Sequence, residues 1–138
     1  AVLATDIHVN STDTDFTALG SVFAYGTLDT GDWQDGTELA ALSEDVSLAT
    51  SGITLDAYNS WTSAAGFAAL INKTGQTQMI FWSSRQEAGT TPTGNEFFKW
   101  VQAENAGTTR DAKITVTHAA GGAVVVVDPF GMSGFFGV

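Results

Sequence analysis

Along most of this chain apolar residues recur at every second position, in short runs separated by clusters of Gly, Thr, Asn and Asp. That pattern predicts half-buried strands joined by turns. Residues 5–9 alternate Ile7 and Val9 against Asp6 and His8. Residues 20–28 set Val22, Ala24 and Leu28 against Phe23 and Tyr25, and further short strands are predicted at 45–48 and 52–58. Residues 96–104 carry bulk on both faces, with Phe98 and Trp100 on one side and Phe97 and Val101 on the other. The cleanest alternation is at 111–118, which places Ile114 and Val116 inward and Lys113, Thr115 and Thr117 outward. Residues 123–127 are continuously apolar, as in a strand buried on both faces, and the AAGG before them is a hairpin signal. Residues 38–43 fit a helical turn or a strand end equally well.

One stretch departs from period two. In residues 59–84, NSWTSAAGFAALINKTGQTQMIFWSS, Ala64, Phe67, Ala68 and Ile71 recur at three- and four-residue spacing. That spacing predicts one helix over about 60–73, followed by a strand at 78–82. Asn59 or Ser60 is placed to cap its first turn, Asp56 and Lys73 carry the favourable sign at its two ends, and Gly75 can end it. The fold class that follows is mainly β: a small β-sandwich or barrel of about eight short strands with one flanking α-helix. Without an internal repeat or a linker, residues 1–138 read as a single domain.

Charge changes the picture. The formal net charge is −10, which argues against binding a nucleic-acid backbone. The acids are also unevenly placed. Asp6, Asp13, Asp15, Asp29, Asp32, Asp35, Glu38, Glu44, Asp45 and Asp56 all lie in residues 1–72, which hold no Lys or Arg, whereas residues 73–138 hold five acids and five bases. These ten acids are therefore expected to form an acidic face. With no cysteine, disulfides, Cys-ligated zinc, iron–sulfur clusters and thiol catalysis are excluded. No apolar run approaches the roughly 20 residues of a membrane-spanning helix, so no membrane partner is expected. The opening AVLATDIHVN lacks the basic start and apolar core of a signal peptide. Its alanine start leads one to expect removal of either an initiator Met or an export signal.

Candidate chemistry is sparse. Asp29, Asp32, Asp35 and Glu38, with Gly31 and Gly36 for sharp turns, offer oxygen ligands that calcium would accept. Their every-third spacing is not that of an EF-hand loop, and a solvated acidic loop is the competing account. His8 and His118 are the only histidines and share no ligand spacing. GMSG at 131–134 lacks the full nucleophile-turn pattern, and no glycine-rich phosphate loop with its lysine is present. No catalytic residue, cofactor or metal is therefore expected. Trp82 and Trp100 fall in apolar strands and Trp61 on the predicted helix, so core packing accounts for them better than a sugar-stacking face does. Trp33, in a polar loop, reads as a contact residue. The end of the chain, PFGMSGFFGV at 129–138, carries Phe130, Met132, Phe135, Phe136 and Val138 on a glycine-rich backbone. Chain ends are usually polar. This one is expected to bury itself, either as a last strand on its own sheet or in a neighbouring subunit, which makes those five residues and Trp33 candidate intersubunit contacts.

Two resemblances bear on function. AENAGTTRDAKITVTHAAGGAVVVV, at 103–127, resembles the closing hairpin of bacterial Ig-like repeats: a polar Asn-Gly-Thr turn, an alternating strand, then a glycine-containing turn. The outline of a small β-sandwich with a flanking helix at 60–73 and long loops at 29–38 and 85–95 is similar to tailed-phage virion proteins, above all tail-tube subunits. Capsid decoration proteins are similar in size and β content. The virion resemblance implies a non-enzymatic structural subunit whose partners are copies of itself and other virion proteins, located in the virion. It carries over no functional residue position by position. The alternative is an exported, extracellular carbohydrate-binding or adhesin module of Ig-like fold, and a small enzyme built on the scattered carboxylates is a third reading.

Overall fold

The computed structural model describes residues 1–12, 15–24, 26–27, 29–101 and 109–117. Its strands are β1 (Val2–Thr12), β2 (Thr17–Val22), β3 (Val46–Ala49), β4 (Ala57–Ser60), β5 (Thr62–Ser63), β6 (Met79–Ser83), β7 (Glu96–Trp100) and β8 (Lys113–Thr115). Three short helices accompany them: α1 (Gly36–Ala40), α2 (Phe67–Leu70) and α3 (Ser84–Glu87). The architecture is mainly β, two antiparallel four-stranded sheets that make a small β-sandwich.

β1 organises the first sheet. β4 pairs on one of its edges, with Ala4 opposite Ser60 and Ile7 opposite Ala57. The other edge is shared end to end, β8 lying beside Val2–Ala4 and β7 beside Ile7–Thr12. Alternation along β1 sends Leu3, Thr5 and Ile7 toward the second sheet and Asp6 and His8 to the opposite face. The second sheet runs β5-β3-β2-β6. Its central strand β2 is buried on both faces. Ala18 joins Leu3, Val46, Trp61 and Phe67 between the sheets, and Leu19 joins Leu39 and Trp82 beneath α1. Gly20 is required where β2 meets β6, because a Cβ there would lie 2.8 Å from the ring of Phe81, its partner in register.

The helix expected over 60–73 is cut to a single turn. Residues 57–60 and 62–63 are strands, and only Phe67–Leu70 is helical. Asn59 caps nothing. Its Oδ1 accepts from the Thr54 N–H (2.8 Å), and its amide donates to the Thr54 and Ala57 carbonyls (2.8 and 2.9 Å). Trp61 is buried between the sheets and its indole N–H donates to Thr5 Oγ1 at 3.0 Å. Strand pairing on both sides of Trp61, together with burial of its ring, outweighs a weak local helix preference. A helix forms instead at Gly36–Ala40, which decides the ambiguity at 38–43. It is held by a capping box in which Asp35 accepts from the Thr37 and Glu38 N–H groups and Glu38 accepts from the Asp35 N–H. Three strand expectations also change, the first being that the strand expected at 20–28 is β2, which ends at Val22. The strand expected at 52–58 begins only at Ala57, after a 3-10 turn at Thr50–Gly52. Ile114 and Val116, expected inward, are 37% and 41% exposed.

Asp45 shows how a buried acid can serve the fold. It is 5% exposed, and its Oδ2 accepts from the Val22 N–H at 2.7 Å and the Ser21 hydroxyl at 3.2 Å, fastening the end of β2 to the start of β3. Asp45→Ala strands two donors without their acceptor. It is expected to cost about 1–3 kcal/mol, read as a lower urea midpoint at unchanged slope. An unaltered midpoint would show that the carboxylate does not hold the two strands together.

Candidate functional site

The densest polar constellation lies on the outer face of the first sheet. Asp6, on β1, stands opposite Tyr58 on β4. Arg110 forks onto it, Nε to Oδ2 at 2.8 Å and Nη2 to Oδ1 at 2.6 Å, and the same Nη2 reaches Asp56 Oδ1 at 2.9 Å. Asp56 Oδ1 also lies 2.8 Å from His8 Nδ1. The turn that presents Asp56 puts it at φ +52°, a conformation that short polar side chains tolerate. Next to this cluster, the Tyr58 hydroxyl lies 3.0 and 2.8 Å from the carbonyl oxygens of Thr109 and Asp111, and Lys113 Nζ sits 3.6 Å above the Tyr58 ring.

The electrostatics follow from these contacts. Hydrogen bonding to Arg110 holds the Asp6 carboxyl below its ordinary value, against the opposing effect of burial. The bond to His8, then that to Arg110, does the same for Asp56. The two carboxylates push the Arg110 guanidinium up. The Asp6 side chain is only 6% exposed, and both of its oxygens are engaged. A carboxylate so occupied is a poor base. The arrangement fastens residues 109–111 to the sheet. Among the described residues no three His, Asp or Glu side chains converge as a metal site.

The ten acids expected to share a face do not all reach one. Asp6 and Asp45 are buried in structural roles, a correction that the sign of the charge alone could not supply. Asp56 is exposed but paired with Arg110, and Asp13 lies outside the described residues. Asp15 accepts from the Thr50 hydroxyl at 3.1 Å. Glu44 and the 29–38 segment keep exposed charge. Within that segment, Asp32 accepts from the Asp29 N–H, and Asp35 and Glu38 close the capping box. These carboxylates hold their own loop rather than converge on a cation.

Trp33 sits in the same loop, between the 3-10 turn Thr30–Asp32 and α1, and is 76% exposed. The other tryptophans are internal or partly so. Trp61 and Trp82 are buried, and Trp100 stacks edge-on against Trp61 and Phe81 at 6.3 and 5.4 Å. Phe130, Met132, Phe135, Phe136 and Val138 lie outside the described residues, as does His118.

A feature that sequence reasoning missed is an apolar cleft along one side of the sandwich. Trp61 fills the β4–β5 side, and on the side where β6 lies opposite β7 and β8 hollows remain on either side of the Phe81–Trp100 contact. Leu3, Met79, Phe81 and Ile114 line the gap at one end. Phe16, Phe98 and Trp100 line it at the other, with Phe81 shared. Toward that second end the sheets are tied by the Arg85–Glu96 ion pair at 2.7 Å. The only advance signal was bulk on both faces at 96–104. Comparison with family models, with curated protein sequences and with solved structures finds no match to this chain.

Proposed function

We propose that this chain is a non-enzymatic structural subunit that assembles with copies of itself, first as a tail-tube protein of a tailed phage and next as a capsid decoration protein, located in the virion. The observation that carries this reading is Trp33, 76% exposed on a loop whose backbone is pinned by its own carboxylates. A large apolar ring held in water on a fixed loop is placed to anchor an interface, with its acidic neighbours as the polar rim. In a tube, the exposed acids at 29–38 and Glu44 face the lumen and repel the phosphates of passing DNA. Their mutual repulsion is screened within about 8–10 Å at moderate salt, so assembly strengthens as salt rises from low values.

The test is negative-stain microscopy with light scattering on the wild type and on Trp33→Ala. Rings or tubes are expected for the wild type and not for the variant. The melting temperature of the subunit should hardly move, since a solvated side chain contributes within about 0.5 kcal/mol. A wild-type chain that stays monomeric at high concentration overturns the reading, as does a variant whose melting temperature collapses. The same exposed ring favours one second reading, an exported carbohydrate-binding or adhesin module in which Trp33 stacks on a pyranose. Glycan-induced quenching of indole fluorescence, lost in Trp33→Ala, would identify it.

A further inference from the structure

An anchor needs a surface that receives it, and the hollow between β6 and β8 has the shape and chemistry of one. We propose that the Trp33 ring of one copy seats in the hollow that Leu3, Met79, Phe81 and Ile114 line on the next copy. The inference rests on the assembly reading and adds to it the surface that the Trp33 loop meets.

Fit is the first support. The hollow has a volume of about 540 Å³. Sites that hold small organic molecules run from roughly 300 to 1,000 Å³, so one indole has room. Its walls are apolar, and Phe81 and Ile114 are each left 37% exposed. Trp33 is 76% exposed, so it does not fill the hollow of its own chain. In a lone copy the ring and the wall both stand in water. Joining them across two copies removes both from it, with about 150–250 Å² buried by the indole alone.

Presentation is the second. The loop is fastened at both ends to its own chain. The Gln78 amide donates to the Gly26 carbonyl at 3.2 Å on one side, and the capping box at Asp35 closes the other. Between them Asp32 accepts from the Asp29 N–H at 2.8 Å. A ring presented on a fastened loop loses little freedom on docking, so more of its burial appears as affinity.

Charge is the third. Lys113 borders the hollow, with Nζ over the Tyr58 ring, and among the described residues it has no carboxylate partner. The incoming loop carries Asp32 beside Trp33 and Asp35 two residues on. One cation at the rim answers one of these acids and orients the approach. The other acids stay in water, where their repulsion still sets the response to salt. Ring and hollow are different patches of the chain. Each copy therefore gives one contact and receives one, the condition for a ring or filament.

The test closes the hollow. Ile114→Glu puts a carboxylate into it, facing an acidic loop, at a position already 37% exposed in the folded chain. Self-association should weaken at least about thirtyfold, the scale of losing one interface anchor. Neither Ile114→Glu nor Trp33→Ala should assemble alone. Mixed, they should form a pair of unlike chains and stop, because one keeps its ring and the other its hollow. Sedimentation velocity reads both results. An Ile114→Glu chain that assembles like the wild type overturns the seat and leaves Trp33 as an anchor standing. A mixture that does not pair overturns the seat too. A wild-type chain that stays monomeric overturns the assembly reading and the seat with it. The unsubstituted chain guards against a variant that fails to fold. Peroxide oxidation of Met79, read by mass spectrometry, should slow as concentration carries the protein into the assembly. A rate equal in monomer and assembly overturns the proposal whatever the variants do.

Discussion

Phe67→Ala is expected to lower the unfolding free energy by about 3–5 kcal/mol, the cost of removing a large aromatic ring from a closed core. Domains of this size hold only about 5–15 kcal/mol in total, so the variant should be close to unfolding at room temperature. Phe67 is completely buried at the start of α2, packed with Leu3 from β1, Ala18 from β2, Val46 from β3 and Trp61. Those neighbours come from paired strands in both sheets, so the space left behind cannot collapse cheaply. Phe81 makes a useful comparison. Its ring contacts Trp61 and Trp100 at 5.4 Å each, yet 37% of it faces the cleft. Phe81→Ala should therefore cost clearly less. Urea midpoints at constant slope measure both. A loss under about 1 kcal/mol for Phe67→Ala would mean that α2 is not the plug of the sandwich.

Why Phe67 was legible as a core residue but its surroundings were not is a matter of range. Period two predicted β1, a short continuous apolar run predicted β6, and bulk on both faces marked β7, because each of these signals is written locally. The spacing of Ala64, Phe67, Ala68 and Ile71 is equally local, and it is true of the one turn at Phe67–Leu70. What cancels the rest of that helix lies elsewhere: the Thr5 hydroxyl that takes the Trp61 indole, and the Thr54 backbone that takes the Asn59 amide. Neither contact leaves a mark in residues 60–73. The acidic loop is a different case, since one spacing serves more than one role. Asp35 and Glu38, three residues apart, are the spacing of a capping box as well as of paired ligands, and the structure uses them as a cap. Asp6 and Arg110 stand 104 residues apart, so nothing short of the fold itself could join them. Counting acids by sign therefore overstated the acidic face by at least Asp6 and Asp45.

The Asp6–Arg110–Asp56 cluster should give this protein a distinct acid response. The Asp6 and Asp56 carboxyls are held below their ordinary 3.8 in the folded chain, so near that pH the unfolded chain binds more protons. The stability they contribute is complete above the unfolded value, and it drains away as pH falls through the lower folded values. Arg110→Met removes the cation and leaves the Asp6 carboxylate, 6% exposed, without its partner. Breaking a pair in this way costs more than removing the buried charge itself. Arg110→Met should therefore destabilise more at about pH 7 than Asp6→Asn, which keeps one amide oxygen to accept from the guanidinium and leaves the Arg110–Asp56 contact in place. The variant should also lose the steep acid limb of the wild type. At strongly acid pH, below the lowered folded values themselves, the carboxyls are protonated in every state and the difference should shrink. Added salt should weaken the exposed Asp56–His8 contact before it touches the shielded Asp6–Arg110 fork. Thermal melts at neutral, mildly acid and strongly acid pH decide the matter. An Arg110→Met curve parallel to that of the wild type at every pH would show that the fork, however well formed, does not hold residues 109–111 to the sheet.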